Sequence, residues 1–269
     1  MTSRALVLAR GLGTRMRAHD PAVTLTPAQQ RAAEAGLKAM IPVNGRPFLD
    51  FLLSTLADAG IRDVALVVAP DHEEVRRYYR ETAPPSRVAV SFVVQEQPLG
   101  TADAIRSAEG WTSGDPFLAM NGDNLNPVDA LTTLARLEEP GLPAFDRDDL
   151  VRTGNIPEDR IRSFALIDID DEGYLRGIVE KPDVDRAPEG GRYGISMNCW
   201  RFDSRIFEAC RDVPRSARGE QEIPEAVGLA VSRGIRFRTF PARGPVLDLS
   251  RRADTTEVAR RLAGLVPRP

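Results

Sequence analysis

The chain has 269 residues, of which 42% are hydrophobic and 28% charged, and its formal net charge is −3. This length is enough for one large folded unit, and the lack of a net positive charge argues against nucleic acid as the main partner. The first apolar run, residues 5–9, is too short for a secretory signal or a membrane span. We therefore expect a cytoplasmic protein without membrane contact.

The first half of the sequence alternates short apolar runs with helical patterns. Buried strands are predicted at residues 5–9, 64–69, 88–94 and 117–120, and helices at 47–59, 71–80 and 101–108. Strands buried on both faces that alternate with helices indicate a parallel, doubly wound α/β sheet. Ligands bind at the carboxyl ends of such strands, so the residues that follow each strand are the candidate site.

The second half has a less regular pattern. Residues 140–157, rich in Pro, Gly and Asp, are predicted as a loop, and strands 164–169 and 174–179 as a β-hairpin with its turn at 171–173. A strand at 196–202, helices at 203–210 and 222–233, a strand at 235–240 and a helix at 254–265 are also predicted. We interpret this half as part of one compact α/β unit.

Cysteine, histidine and lysine are scarce. Cys199 and Cys210 form no CxxC pair, and two histidines cannot supply a three-histidine metal site. Of the 36 basic residues only Lys38 and Lys181 are lysines. A compact ammonium and a planar guanidinium are not interchangeable at a binding site. The two lysines are therefore either chance survivors in an arginine-rich chain or functional residues.

Two segments that follow predicted strands have the composition of phosphate and metal sites. In Gly11-Leu-Gly-Thr-Arg15, backbone N–H groups and an arginine fork can bind phosphate oxygens. Met16 stands where the dinucleotide fingerprint GxGxxG needs glycine, and the Gly-Lys pair of a P-loop is missing. In Asn121-Gly-Asp-Asn124 the carboxylate suits a Mg²⁺ ligand beside phosphates. Ordinary turns are the alternative for both segments.

An ordered set of six segments resembles a known family. The segments are Leu8-Ala-Arg-Gly-Leu-Gly-Thr-Arg-Met16, Lys38-Ala-Met-Ile-Pro42, Gly45-Arg-Pro47, Gln95-Glu-Gln-Pro-Leu-Gly-Thr-Ala-Asp103, Asn121-Gly-Asp123 and Val179-Glu-Lys-Pro182. Together they resemble the sugar-phosphate nucleotidyltransferases, also called NDP-sugar pyrophosphorylases, over nearly the whole chain. Both lysines lie inside these segments.

The resemblance implies a fold and a domain organisation. The fold is α/β, with a doubly wound, mostly parallel, Rossmann-like nucleotidyltransferase sheet and a sugar-binding β-rich subdomain. We expect a single nucleotidyltransferase domain over residues 1–269. Its nucleotide-binding half is expected at 1–139 and its sugar-phosphate-binding half at 140–269, without a C-terminal β-helix domain.

The resemblance also implies an activity: Mg²⁺-dependent transfer of a nucleotidyl group from a nucleoside triphosphate, with UTP or dTTP favoured, to a hexose 1-phosphate. One alternative is a nucleotidyltransferase for a non-sugar phosphorylated molecule, such as a cytidylyltransferase. Another is a catalytically silent, nucleotide-binding regulatory subunit. The expected partners are the nucleoside triphosphate, the sugar 1-phosphate and further copies of the chain, but neither nucleic acid nor a membrane.

Position by position, the resemblance implies the following roles. Catalytic phosphate-binding roles fall to Arg15, Lys38 and Lys181. Contacts with the nucleotide fall to Ala9, Gly11, Gly13, Thr14, Arg15, Gln95, Gly100 and Thr101, and contacts with the sugar phosphate to Glu180, Lys181 and Asn198. Asp123 and Asp248 would bind Mg²⁺. The reaction needs no protein nucleophile, because the attacking phosphate oxygen is already ionised at neutral pH.

Several positions depart from the family pattern. Arg10 replaces a small residue of the glycine loop and either faces solvent or contacts phosphate, and Ala39 replaces a proline. Asp159-Arg160-Ile161 stands where many members have Tyr-Gly. Asp248 lacks its usual tryptophan, glycine and threonine neighbours, so a structural or capping role is the alternative to metal binding.

The spacing between Arg15 and Lys38 is longer than the family usually has. Thr26-Pro-Ala-Gln29 has the pattern of a capping box with proline at the first helical position, and Gly36 is a suitable stop. A short helix at about 27–35 is predicted, either as a lid over the nucleotide site or as a subunit contact.

Overall fold

The computed structural model describes residues 1–11, 13–18, 20–179 and 191–269. The strands are β1 (Arg4–Leu8), β2 (Pro42–Val43), β3 (Arg46–Pro47), β4 (Asp63–Val68), β5 (Ala89–Val94), β6 (Phe117–Asn121), β7 (Asn124–Leu125), β8 (Gly141–Phe145), β9 (Ala165–Ile169), β10 (Leu175–Val179), β11 (Arg192–Ser196), β12 (Cys199–Phe202), β13 (Arg238–Ala242) and β14 (Leu247–Asp248). The helices are α1 (Thr14–Arg17), α2 (Pro27–Glu34), α3 (Phe48–Asp58), α4 (Glu73–Arg77), α5 (Thr101–Arg106), α6 (Glu109–Thr112), α7 (Val128–Arg136), α8 (Arg147–Thr153), α9 (Glu158–Ile161), α10 (Ile206–Asp212), α11 (Ile223–Ser232) and α12 (Asp254–Arg261).

One large mixed sheet runs through both halves of the chain, in the order β10-β9-β11-β8-β12-β6-β1-β4-β5, with β13 beside β8. The strands of the first half are parallel: β1 pairs with β4 and β6, and β4 pairs with β5. Most pairings of the second half are antiparallel, including the predicted hairpin of β9 and β10. The α/β fold expected from the sequence is confirmed.

Helices cover the sheet on both faces because alternate residues of the buried strands point to opposite sides. Ala5 and Val7 of β1 belong to the core that packs against α3 and α7. Leu6, between them, belongs to the core formed with α5, α10 and α11. Because both faces of the sheet are covered, the ends of the strands are left for ligand binding.

The predicted loop at 140–157 is wrong. Residues Gly141–Phe145 form β8, which pairs in parallel with β13, and Arg147–Thr153 form α8. A glycine and Pro143 inside the segment are typical of loops, but a side chain at Gly141 would clash with the neighbouring backbone of Arg238. Close approach of two strands therefore explains this glycine.

The single strand predicted at 196–202 is also wrong, because the structure has two strands there. β11 ends at Ser196 and β12 begins at Cys199, and Asn198 between them has a left-handed φ of 51°. The break separates two strands with different partners, since β11 pairs with β9 and β12 pairs with β6. It also brings Asn198 to the end of the sheet where the candidate site lies.

The predicted capping-box helix is confirmed as α2. Thr26 Oγ1 accepts a hydrogen bond from the backbone N of Gln29, and the Gln29 side chain accepts one from the backbone N of Thr26. Ala33 of α2 packs in a core with Ile41, Phe48 and other buried residues. None of residues 20–37 that the structure describes lines the main cleft. This position gives no support to the lid alternative, and the subunit contact stays a prediction.

Candidate active site

A cleft with a volume of about 390 Å³ lies at the carboxyl ends of β1, β5 and β6. It is where a doubly wound sheet binds its ligands. Its walls include twelve of the residues expected from the sequence: Ala9, Gly11, Gly13, Thr14, Arg15, Lys38, Gln95, Gly100, Thr101, Asp123, Asn198 and Asp248. Glu180 and Lys181 lie outside the described residues. The structure thus gathers the described candidates in one place, and their individual roles stay predictions.

The glycine loop connects β1 to the short helix α1. Gly13 has a φ of 61°, a left-handed conformation that favours glycine, and it directly precedes α1. A Cβ at this position would lie 3.7 Å from Cβ of Lys38. Thr14 and Arg15 are exposed at the mouth of the cleft. The loop therefore brings Arg15 to the same cleft as Lys38, and glycine at position 13 leaves no side chain between the loop and Lys38.

Lys38 and Asp123 form an ion pair in the cleft wall. Lys38 Nζ donates to Asp123 Oδ2, and it also lies 3.3 Å from Oγ of Ser250. Both side chains are about one-fifth exposed, 17% for Lys38 and 21% for Asp123, so solutes can reach them. This arrangement places a compact positive charge and a carboxylate together at the end of β6.

Asp248 lies next to Asp123 because two short strands pair. Residues Asn124 of β7 and Asp248 of β14 are register partners, and Leu249 N donates to the backbone oxygen of Asp123 at 2.9 Å. Asn155 donates its amide to the Asp248 backbone oxygen and accepts from the Asp248 backbone N, both at 2.8 Å. The backbone at Asp248 is thus fixed by hydrogen bonds to residues far away in sequence, and this fixes the position of the second carboxylate.

The Asp248 carboxylate is buried and charged groups surround it. Oδ2 accepts a hydrogen bond of 3.1 Å from the Asn124 amide, and Oδ1 accepts one from Arg160. Burial is the main cause that raises the pKa of Asp248, and the negative charge of Asp123 raises it further. Arg160 and Lys38 act in the opposite direction. Two neighbouring carboxylates with this mutual repulsion favour the arrival of a cation.

Arg160 is a functional candidate that the sequence reasoning missed. Its guanidinium bridges Asp248 and Asp254, with 2.5 Å between Nη1 and Asp254 Oδ1, and it is only 5% exposed. Asp254 in turn accepts hydrogen bonds from the backbone N atoms of Ser250 and Arg251. Nothing in the spacing of Arg160 signals a partner almost ninety residues away in sequence.

Asp159-Arg160-Ile161, the segment that departs from the Tyr-Gly pair of the family, does not directly precede β9. These residues lie in the helical turn α9, and the residues directly before β9 are Ser163 and Phe164. Both Ser163 and Phe164 line the cleft. The hydroxyl of Ser163 and the aromatic ring of Phe164 thus lie in the cleft wall, just before β9 begins.

Gln95, Gly100 and Thr101 form the opposite wall. A Cβ at Gly100, whose φ is 115°, would lie 2.7 Å from the backbone N of Gln221 and closer still to its carbonyl oxygen. Thr101 begins α5, and its Oγ1 accepts a hydrogen bond of 2.9 Å from Ile223 N at the start of α11. Only glycine allows the loop and the later segment to pack this closely.

Arg10 does not face solvent, so that alternative is wrong. Its Nε donates to the backbone oxygen of Gln95 at 2.8 Å, and its Nη2 donates to that of Glu96 at 3.3 Å. Burial is the main cause that lowers the pKa of Arg10, and nearby carboxylates, led by Asp71, act in the opposite direction. Arg10 therefore joins the glycine loop to the segment that follows β5.

The wall of the cleft contains further residues that the sequence reasoning missed. Arg218, Glu220 and Glu222 line the cleft, and Arg218 Nε lies 3.2 Å from Glu222 Oε1. Oδ1 of Asn198 is buried without a hydrogen-bond donor in the part of the chain that the structure describes. Residues 218–222 precede α11 in a stretch that the composition gave no reason to single out.

Comparison with known proteins agrees with this geometry. Residues 4–249 match the model of the family described as nucleotidyl transferase. The chain belongs to this family. It is 31% identical to a glucose-1-phosphate thymidylyltransferase of Streptomyces antibioticus over 98% of its own length and 68% of that protein. It is 28% identical to the UTP-glucose-1-phosphate uridylyltransferase AglF of Haloferax volcanii, over 96% of both chains.

Solved structures show the same fold. A UTP-bound UGPase from Acinetobacter baumannii superposes with a TM-score of 0.75 at 18% identity, over 99% of this chain and 95% of that one. A UDP-glucose pyrophosphorylase solved with UDP-glucose also gives 0.75, at 19% identity, over 97% and 98% of the two chains. The resemblance to sugar-phosphate nucleotidyltransferases is confirmed, and the chain is an enzyme of the nucleotidyltransferase class.

No helix in the described ranges combines the length and the apolar content that crossing a bilayer requires.

Proposed function

We propose that this nucleotidyltransferase transfers a nucleotidyl group from UTP or dTTP to a hexose 1-phosphate and releases pyrophosphate. The observation that supports this most is the meeting of Arg15, Lys38, Asp123 and Asp248 in one cleft at the strand ends. The relatives support the choice of substrates, because their names are those of thymidylyl- and uridylyltransferases for glucose 1-phosphate.

The proposed reaction is an in-line displacement at the α-phosphorus. A phosphate oxygen of the sugar 1-phosphate forms the new P–O bond, and the bond to the β-phosphate oxygen breaks with its electron pair leaving on pyrophosphate. No proton has to be removed from the attacking oxygen, so the low content of histidine and cysteine fits the chemistry. The protein's task is to position two anionic substrates and to offset their repulsion.

Arg15 and Lys38 carry that task on the nucleotide side. The exposed guanidinium of Arg15 can bind the β- and γ-phosphates with two parallel hydrogen bonds. Lys38 holds Asp123 in this structure and would turn toward the α-phosphate when the nucleotide binds. On the sugar side we assign Glu180 and Lys181 to the sugar and its phosphate, and Asn198 to a sugar hydroxyl, which would donate to its buried Oδ1.

The chemistry of the donor set fits Mg²⁺ at Asp123 and Asp248. In the described ranges no group of three or more His, Cys, Asp or Glu side chains is placed to hold a metal. Mg²⁺ needs fewer, since it takes one or two carboxylates and completes its shell with water and substrate phosphate. The carboxylates of Asp123 and Asp248 are adjacent and repel each other. When bound there, Mg²⁺ would supply charge neutralisation on the phosphates.

The experiment is a pyrophosphate-release screen with five nucleoside triphosphates and a panel of sugar 1-phosphates. Asp123→Asn and Lys38→Arg should each lower kcat by about 100-fold or more with the fold intact, because each removes a charge or a geometry needed in the transition state. Asp129→Asn, at an exposed position of α7, is the matched control and should change nothing. Near-normal rates for both cleft variants would exclude the proposed site.

The same screen separates the remaining alternatives. Release of pyrophosphate only with non-sugar phosphorylated acceptors would identify a different transferase. Binding of nucleotide without release from any pair would identify a silent regulatory subunit. Chelation of the metal should abolish release, and added Mg²⁺ should restore it. The expected homo-oligomer is tested by light scattering at several protein concentrations.

A further inference from the structure

Arg10 fixes a guanidinium at the wall where Gln95 lies. The side chain leaves the glycine loop, crosses to the backbone oxygens of Gln95 and Glu96, and lines the cleft. Nε and Nη2 make these two hydrogen bonds, and no described residue accepts one from Nη1. Burial lowers the pKa of Arg10, and the carboxylates of Asp71, Asp103 and Glu96 act in the opposite direction. Arg10 therefore has donor capacity left on the cleft side.

Gln95, in contrast, has a hydrogen-bond acceptor left. Its Nε2 donates to the backbone oxygen of Gly100 at 3.0 Å and to Asp103 Oδ2 at 2.8 Å. Both partners are acceptors, so they fix the orientation of the amide. The two N–H groups are used within the protein, and Oε1 remains as an acceptor. This wall of the cleft thus combines the donors of Arg10 with the acceptor of Gln95.

The pairing of a donor with a neighbouring acceptor distinguishes two classes of nucleobase. Uracil, thymine and guanine carry a carbonyl oxygen next to a ring N–H, which is the complement of this wall. Cytosine and adenine carry an amino group next to an unprotonated ring nitrogen, which would place donor against donor and acceptor against acceptor. A buried mismatch of this kind leaves polar groups unsatisfied, and sites built in this way reject the wrong partner strongly.

We infer that Arg10 is a specificity-determining residue that selects nucleoside triphosphates with a keto base. This inference rests on the proposed function, since it assumes that the base of a nucleotide binds beside Gln95. It adds Arg10 to the site, at a position where the family pattern has a small residue. It also separates the substrates into two classes, with UTP, dTTP and GTP accepted and CTP and ATP rejected.

The competing explanation is that Arg10 only ties two loops together. A purely structural tie would affect every nucleotide equally. Arg4 supplies a matched control, because its Nη1 also donates to two backbone oxygens, those of Trp111 and Thr112, away from the cleft. The test therefore compares ratios between bases and not absolute rates alone.

The experiment measures kcat/KM for UTP, dTTP, GTP, CTP and ATP with glucose 1-phosphate as the fixed acceptor. The proteins are the unmodified chain, Arg10→Ala, Arg10→Lys and Arg4→Ala. We expect the unmodified chain to prefer the keto bases, and Arg10→Ala to reduce that preference by about tenfold or more, as for a lost charged hydrogen bond. Arg10→Lys keeps the charge and should fall between the two, and Arg4→Ala should leave the ratio unchanged.

Calorimetric binding of UDP and CDP to the same four proteins makes the result independent of turnover. If no pyrophosphate is released with any pair, the proposed function fails, and a UDP preference that Arg10→Ala removes would still support the assignment of Arg10. An equal loss for all bases would overturn it, as would a preference of the unmodified chain for ATP or CTP. If Arg10→Ala does not fold by circular dichroism, the ratio measured for Arg10→Lys decides.

Discussion

Removal of Arg160 should cost the protein a large part of its stability. The guanidinium is 5% exposed, and the carboxylates that it bridges, Asp248 and Asp254, are 3% and 6% exposed. Arg160→Met keeps the length of the side chain and leaves two buried carboxylates without their cation. Breaking a buried pair from one side costs about 3–5 kcal/mol. A whole domain is stable by only about 5–15 kcal/mol, so the loss is easily measured.

The assay is urea unfolding followed by circular dichroism, with Arg176→Ala as the control. Arg176 forms an equally well-aligned pair with Asp168, at 2.7 and 2.8 Å, but on the exposed side of the β9–β10 hairpin. The unfolding midpoint of the control should stay close to that of the unmodified chain. A loss below about 1 kcal/mol for Arg160→Met would refute the reasoning, because it would mean that the carboxylates are stable without their cation.

The loss of unfolding free energy in Arg160→Met, here called the deficit, should also depend on pH. The pKa of Asp248 is already raised by burial and by Asp123, and loss of Arg160 removes an opposing charge. A carboxyl whose pKa is higher in the folded state destabilises the fold when it is ionised and ceases to do so once it is protonated. The deficit should therefore be largest above the raised pKa and shrink as the pH falls toward the ordinary aspartate range. A constant deficit over the accessible pH range would contradict this explanation.

Three further outcomes are expected. Gly100→Ala should lower the melting temperature and weaken UDP binding in calorimetry, because its Cβ would meet backbone, whereas Gly110→Ala, with open space around it, should do neither. Arg252→Ala removes three hydrogen bonds to α1 and α2, and should raise KM for the nucleotide more than it lowers kcat; an unchanged KM would contradict this role. The buried thiols of Cys199 and Cys210 have pKa values raised to about 12, so a disulfide reagent should label neither at neutral pH until denaturant is added.

The sequence predicted the first half of the sheet because buried parallel strands appear as uninterrupted apolar runs. Strands β1, β4, β5 and β6 were placed within a residue or two of their bounds. The glycine loop and the Asn-Gly-Asp segment follow two of these strands, so the sheet rule also brought Gly13 and Asp123 together. Local patterns were enough wherever the contact partners follow a regular topology.

The parts that failed depend on contacts between distant residues. β8 contains a glycine and a proline, and only its pairing with β13 makes this composition suitable for a strand. In the sequence, Arg160 and Arg10 are only departures from the family pattern. The carboxylates that Arg160 contacts and the carbonyl oxygens that Arg10 contacts cannot be identified from the sequence. Long charged side chains can bridge segments about ninety residues apart, and no periodicity records that.

The two-residue pairing of β7 with β14 makes the cleft depend on a segment that is synthesised after every strand of the large sheet. The strands of the large sheet end at Ala242, so a nascent chain can form that sheet before Asp248 has been made. Until residues 247–254 emerge from the ribosome, Lys38 and Asp123 lack Ser250 and the second carboxylate beside them. A fragment released before this point would therefore contain the glycine loop but lack the part of the cleft wall that Asp248 and Ser250 form.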